Sequence, residues 1–151
     1  MEKLHPHKAL PVLFSYPPLT FLFFIVSALI VDMFYPVYFL FGQPLVSFSG
    51  AFLILVGSFL IFYAQLMKNL RKEGQFTEIG PYSISRNPTY LGMIAIGLGL
   101  SCFNHSVFVG IATIVSFLFF HFLIIPSEES LLEERFGDIY TTYKGKVHRW
   151  L

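Results

Sequence analysis

Two polar runs interrupt an otherwise apolar chain, and both contain residue types able to grip a small charged ligand. The first reads Gly74-Gln75-Phe76-Thr77-Glu78-Ile79-Gly80-Pro81-Tyr82-Ser83-Ile84-Ser85-Arg86-Asn87-Pro88-Thr89-Tyr90-Leu91-Gly92. Gly80-Pro81 is a turn signal, and Asn87-Pro88 can open a helix with Asn as N-cap and Pro at its first position. A helix start presents unpaired N–H groups, so together with Arg86 it favours a carboxylate or phosphate. The tyrosine hydroxyls and amides around it suit a nucleoside as well. The competing reading is an interfacial arginine that snorkels beside an aromatic belt.

The second run begins Pro126-Ser127-Glu128-Glu129 and continues through Tyr140 and Tyr143 to Arg149-Trp150. Ser127 is placed to cap a new helical turn, whose positive end would suit Glu128 and Glu129. Phe136-Gly137 would end it. Glu133, Glu134 and Arg135 read as a solvated face, whereas Glu128 and Glu129 follow directly on an uncharged stretch and face the first run across the membrane surface. A carboxylate there can hold ribose hydroxyls or an ammonium group. His121, alone on an apolar helix, reads first as a hydrogen-bonding partner of a neighbouring helix and second, with Glu129, as a substrate contact. No metal site is expected, because Cys102 is the single cysteine and no Cys/His spacing suits zinc.

These runs must be positioned by membrane-embedded elements. Hydrophobic residues make up 55% of the chain and charged ones 13%, with nineteen phenylalanines, which leaves too little polar surface to cover a soluble body. Between Ala9 and Met67 the only formal charge is Asp32, and between Asn87 and Ser127 there is none. Each stretch breaks once, around Pro36 to Pro44 and around Phe103 to Ser106. The chain thus reads as an all-α integral membrane protein and a single membrane domain over 1–151. Its four transmembrane helices lie near 18–35, 47–69, 89–103 and 107–125, followed by a helical cytoplasmic C-terminal segment over 126–151. Helices are preferred to strands because backbone in lipid must satisfy its own hydrogen bonds and the apolar runs do not alternate. Gly97 and Gly99 lie inside a span, so with Gly92 and Gly110 they read as close helix packing rather than a phosphate loop. All ten Lys and Arg fall on one side of a four-span layout, which puts both termini in the cytoplasm of an inner or plasma membrane.

Gly80-Pro81-Tyr82, then Arg86-Asn87-Pro88-Thr89-Tyr90-Leu91-Gly92, then Glu128-Glu129 and Phe136-Gly137-x-x-Tyr140-x-x-Tyr143 together resemble the isoprenylcysteine carboxyl methyltransferase family, and the ending Val147-His148-Arg149-Trp150 is similar to its short bacterial members. The resemblance covers roughly Gly74 to Leu151. It implies an S-adenosylmethionine-dependent methyltransferase with its cofactor held by Gln75, Phe76, Thr77, Tyr82, Arg86, Asn87, Pro88, Thr89, Tyr90 and Glu128. The acceptor would be a lipophilic small molecule or lipidated substrate arriving from the bilayer, with a carboxylate among the acceptor groups it implies, membrane lipid as surroundings and no nucleic acid. Asn87 stands where eukaryotic members carry histidine. Ile124 stands where they place an arginine near the prenylcysteine carboxylate, with His121 one turn earlier.

Two other readings fit parts of the chain. An NADPH-dependent sterol-type reductase shares the Arg-x-Pro-x-Tyr block but has several more spans, and a small non-catalytic membrane adaptor fits the composition. The layout is checked by thiol labelling in a Cys102→Ala background. A cysteine from Lys146→Cys should react from the cytoplasmic side, and those from Gln43→Cys and His105→Cys only from the opposite side. The reverse pattern refutes the four-span topology.

Overall fold

The computed structural model describes residues 16–38, 43–70 and 78–151, all-helical among these, with a lone bridge pairing Tyr38 and Ser106. Lys3, Lys8, Arg71, Lys72, Gln75, Phe76 and Thr77 lie outside the described residues. Helix α1 spans Pro17–Phe34, α2 Gln43–Leu70, α3 Pro88–Asn104 and α4 Val107–Phe119. A single 3-10 turn, Gly80–Ser83, precedes α3. A π-helical turn, Phe120–Ile124, joins α4 to α5, Ile125–Phe136, and α6, Asp138–Lys146, follows.

Three helical stretches are long and apolar enough to cross a membrane: Pro17–Phe34, Pro44–Leu70 and Val107–Phe136. Helix α3, with 17 residues, is shorter. At about 1.5 Å per residue it reaches roughly 26 Å, just under the thickness of the hydrocarbon layer. The exposed side chains of α2 include Phe48, Phe52, Leu55, Phe59 and Phe62, a surface suited to lipid rather than water.

The closest packing in the fold is between α2 and α3, and glycine permits it. A Cβ added at Gly50 would come within 2.6 Å of the Gly99 carbonyl oxygen, and one at Gly57 within 2.6 Å of the Gly92 oxygen. The contacts are reciprocal, since a Cβ at Gly99 or Gly92 would meet the oxygen of Gly50 or Gly57 at 2.7 Å. Both pairs sit seven residues apart on antiparallel helices, and the α2 seam continues at Ala64, which is fully buried. Small residues at this spacing let the two backbones touch along a seam. Gly97 faces the other way, toward Thr113 of α4. Sequence reading of Gly92, Gly97, Gly99 and Gly110 thus finds half of the seam, and Gly50 and Gly57 supply the rest.

Helices α3 and α4 form an antiparallel hairpin. His105 takes a left-handed conformation, with φ of 55°, and Ser106 caps α4 by accepting the Val109 N–H at 3.2 Å. Ser101 ties the hairpin by donating to the Ser106 carbonyl at 2.8 Å. Helix α1 lies against α4, with Phe24 edge-on to Phe119 and Phe21 close to Phe120. Phe21, Ile25 and Ala28 recur on one face of α1 and join Tyr90, Met93, Val109, Phe120, Ile124 and Ile125 in the buried core.

One sequence expectation needs correction. No fresh helix starts at Ser127. The helix runs on from α4 through the π turn into α5, Ile124 stands at the junction in helical conformation, and the Ser127 hydroxyl is buried without a hydrogen bond. The reason is Pro126. Its ring would strike the carbonyl four residues back in a regular helix, and the preceding wide turn relieves that clash without ending the helix.

Replacing Gly57 with Leu places a side chain where the Gly92 backbone lies, so the α2–α3 seam must open. Thermal unfolding in detergent should show Gly57→Leu destabilised by more than about 3 kcal/mol and Gly145→Ala, which has open space around it, changed by less than about 1 kcal/mol. Equal effects would refute the seam.

Candidate functional site

At the end of the bundle where α2 finishes and α3 begins, the 3-10 turn, α5 and α6 converge around a cavity of about 320 Å3. Tyr82, Arg86, Asn87, Pro88, Thr89, Tyr90 and Glu128 all line it, so these sequence-chosen residues share one space. Glu129 lines it too. Pro17 and Pro18 from α1, Gln65 and Lys68 from α2, Met93, Leu132, Tyr140 and Tyr143 complete the wall. Sequence reasoning had not assigned these eight to the site. Lys68 carried a signal, as the first charge after a long apolar run; the α1 prolines carried none, because only helix packing brings them there.

Asn87 occupies the N-cap position of α3 and Pro88 opens the helix, but the Asn87 side chain makes no capping bond. Its amide nitrogen donates instead to the Arg149 carbonyl at 3.2 Å. The Ser85 hydroxyl donates to that same carbonyl at 3.2 Å, and the Arg86 N–H donates to the His148 carbonyl at 3.0 Å. The C-terminal residues are thereby stitched to the 85–87 segment. Tyr143 adds a fourth tie, its hydroxyl donating to the Tyr82 carbonyl at 2.7 Å.

Beneath these ties lies Glu129, 4% exposed. Arg149 grips it with two bonds, Nη2 to Oε2 at 2.7 Å and Nε to Oε1 at 3.2 Å. Arg86 Nη1 stands 3.3 Å from Oε1, and Lys144 Nζ 3.6 Å from Oε2. A buried carboxylate requires such partners, since desolvating it alone would cost several kcal/mol. Glu133 lies on the exposed flank and pairs with Lys144 at 2.7 Å. Burial, then the Glu129 charge, pushes the Tyr140 phenol up to about 12, against the opposing pull of Arg86. Burial, then Tyr140, raises the Tyr143 phenol also.

Glu128, one residue earlier, turns about 100° away on the helix and lines the cavity, within electrostatic reach of the buried Tyr90 hydroxyl. Arg86 Nη1 is paired with Glu129, and its Nε makes no hydrogen bond. The cavity thus offers a guanidinium, a phenol and a carboxylate beside several aromatic faces. His121 lies elsewhere. It lines a second cavity, accepts a hydrogen bond on Nδ1 from the Trp150 indole at 3.0 Å and stacks on Phe117. Gln75, Phe76 and Thr77 lie outside the described residues.

Residues 37–139 match the Phospholipid methyltransferase family. The chain belongs to this family. It is therefore a membrane methyltransferase, of a family whose substrates are lipid-like, and part of the wider group that resembles isoprenylcysteine carboxyl methyltransferases. The chain is also 36% identical over 62 residues to an uncharacterized protein of Haemophilus influenzae, an alignment covering 41% of this chain and 98% of that protein. No solved structure matches.

Glu129→Gln leaves Arg86, Arg149 and Lys144 without their shared counter-charge. Thermal unfolding of the purified protein should show a loss of about 3 to 5 kcal/mol, against less than about 0.5 kcal/mol for the exposed Glu134→Gln. A neutral Glu129→Gln would show that the cluster does not hold this end together.

Proposed function

We propose that this chain transfers a methyl group from S-adenosylmethionine, bound in the 320 Å3 cavity, to a lipophilic acceptor that arrives from the bilayer. The observation that carries the reading is the convergence of Tyr82, Arg86, Asn87, Pro88, Thr89, Tyr90 and Glu128 on that one space, in a chain of a membrane methyltransferase family. The volume falls at the small end of the roughly 300 to 1,000 Å3 typical of ligand pockets. The donor set fits the cofactor. Arg86 suits its carboxylate, Glu128 its ammonium or ribose hydroxyls, and the faces of Tyr82, Tyr90 and Tyr140 suit a flat base or a cationic sulfur. Gln75, Phe76 and Thr77 are proposed to close the same pocket. The described basic residues then stand at the cytoplasmic ends of four spans, with α3 as the shortest, in a single membrane domain with both termini cytoplasmic.

The bound cofactor supplies a methyl group on a positively charged sulfur, open to in-line attack. The protein's part is to orient the partners and exclude water, and orientation alone is worth roughly 7 to 11 kcal/mol of barrier. An acceptor carboxylate would attack without help. An acceptor amine or phenol must also lose a proton, and Glu129, committed to three cations, does not take it. Asn87, engaged with the Arg149 carbonyl, holds the wall in shape.

The test uses S-adenosylhomocysteine and NADPH in parallel thermal-shift titrations of the full chain in detergent. S-adenosylhomocysteine at 100 times its dissociation constant should add about 2.7 kcal/mol, and NADPH nothing. Glu128→Gln should weaken S-adenosylhomocysteine by about tenfold or more, the scale of a lost charge-assisted hydrogen bond, while Glu133→Gln should leave it unchanged. Stabilisation by NADPH would favour a reductase, and by neither ligand a non-catalytic adaptor; either result refutes the proposal.

A further inference from the structure

Behind Arg86, on the side away from the first cavity, lies a second one of about 370 Å3. Its charged wall is entirely basic: Arg86, Lys144, Lys146 and Arg149, with His121 and His148 between them. Among the described residues no carboxylate lines it. Arg86, Lys144 and Arg149 share Glu129 and Glu133, and Lys146 is in none of these ion pairs, which leaves positive charge in excess. Arg86 lines both cavities with its side chain only 10% exposed; its Nη1 pairs with Glu129, and its Nε makes no hydrogen bond. A buried donor without a hydrogen-bond partner is costly, and an anion's oxygen could satisfy it, while the other basic groups add attraction.

The surroundings say which kind of anion. His121 belongs to the π turn through which the apolar α4 passes into the polar α5, so the cavity opens where hydrocarbon gives way to water. Trp150 and His121 form a stacked wall, with ring centroids 6.0 Å apart. Phe122 packs edge-on against His121 and is otherwise exposed, as are Leu123 and the terminal Leu151. A basic recess walled by Trp150 and His121, with exposed apolar side chains on the same π turn, matches a molecule with a phosphate head and hydrocarbon tails better than a free ion.

We infer that the second cavity is a binding site for the phosphate of an anionic membrane lipid, separate from the cofactor cavity and not a methyl-acceptor site. The lipid pins the C-terminal residues 147–151 against the π turn. Those residues also hold Ser85 and Asn87 through the Arg149 carbonyl, so an occupied second cavity firms the wall of the first. The inference stands without the cofactor assignment, because it rests on the second cavity alone.

Trp150 is the chain's single tryptophan and lines the site, so its fluorescence reports occupancy directly. The full chain in micelles is titrated with phosphatidylglycerol and then with phosphatidylcholine, each carrying brominated tails that quench an indole they touch. Phosphatidylglycerol has no amine to methylate. It should quench Trp150 at about one fifth of the phosphatidylcholine concentration, and each lysine or arginine removed should weaken it by about fivefold. Lys146→Gln combined with His148→Gln should therefore bring the two lipids close to equal quenching, while S-adenosylhomocysteine still stabilises the variant as it does the parent. Equal quenching by both lipids in the parent protein overturns the site. So does unchanged selectivity in the double variant. Displacement of the brominated phosphatidylglycerol by inorganic phosphate at matching concentration overturns the lipid assignment in favour of a free ion. If S-adenosylhomocysteine fails to bind the parent while lipid selectivity holds, the cofactor proposal fails and this one stands.

Discussion

One buried carboxylate organises the polar end of this molecule. Glu129 receives Arg86 from the segment before α3, Lys144 from α6 and Arg149 from the C-terminus. The segment before α3 and the C-terminal one, far apart in sequence, are thus drawn to a point, and neither can move away without weakening the pairing of the buried Glu129. The fork from Arg149 sets direction as well as energy, because two bonds to one carboxylate allow little rotation. Once Arg149 is fixed, its carbonyl lies where Ser85 and Asn87 can donate to it.

Glu129 reaches that point because the helix behind it never stops. The π turn at Phe120–Ile124 admits Pro126 without a break, so the rotation of α4 carries through to α5 and determines where two adjacent carboxylates aim. Glu129 turns to the cationic cluster and Glu128 to the open cavity. The glycine seam between α2 and α3 does comparable work on the opposite wall. With backbones in contact at Gly50–Gly99 and Gly57–Gly92, the end of α2 is held beside the start of α3, and Lys68 shares the cavity with Arg86.

The outcome is a division between an apolar body that meets its surroundings with aromatic and aliphatic side chains and a small polar head in which every element end is used. Arg86 sits on the boundary between the two cavities of that head, with Glu129 on one side and an all-basic recess on the other.

Much of this was legible in the sequence, for a physical reason. Hydropathy is a local property, so the apolar stretches and their single breaks located the helices to within a few residues, and the Asn87-Pro88 pair marked the start of α3. The residues that the family resemblance pointed to around Arg86 and Glu128 line one cavity, and the two polar runs that carry them both lie next to apolar stretches, so one end of the helices brings them together. Three things needed the tertiary structure. The sequence reading started a new helix at Ser127, because a proline is as compatible with a helix start as with the turn that follows a π turn, and only the backbone path tells them apart. It separated Glu128 from Glu129 by role but not by burial, because the cluster of three cations around Glu129 appears only once the helix rotation is known. It left Arg149 unassigned and gave the Asn87 amide no protein partner, since the bond between them spans 62 positions and depends on where the C-terminus is folded back. Composition and local pattern decided what lies in the membrane and what lies at its edge, whereas the partners of each charge were decided by long-range closure, which no local signal encodes.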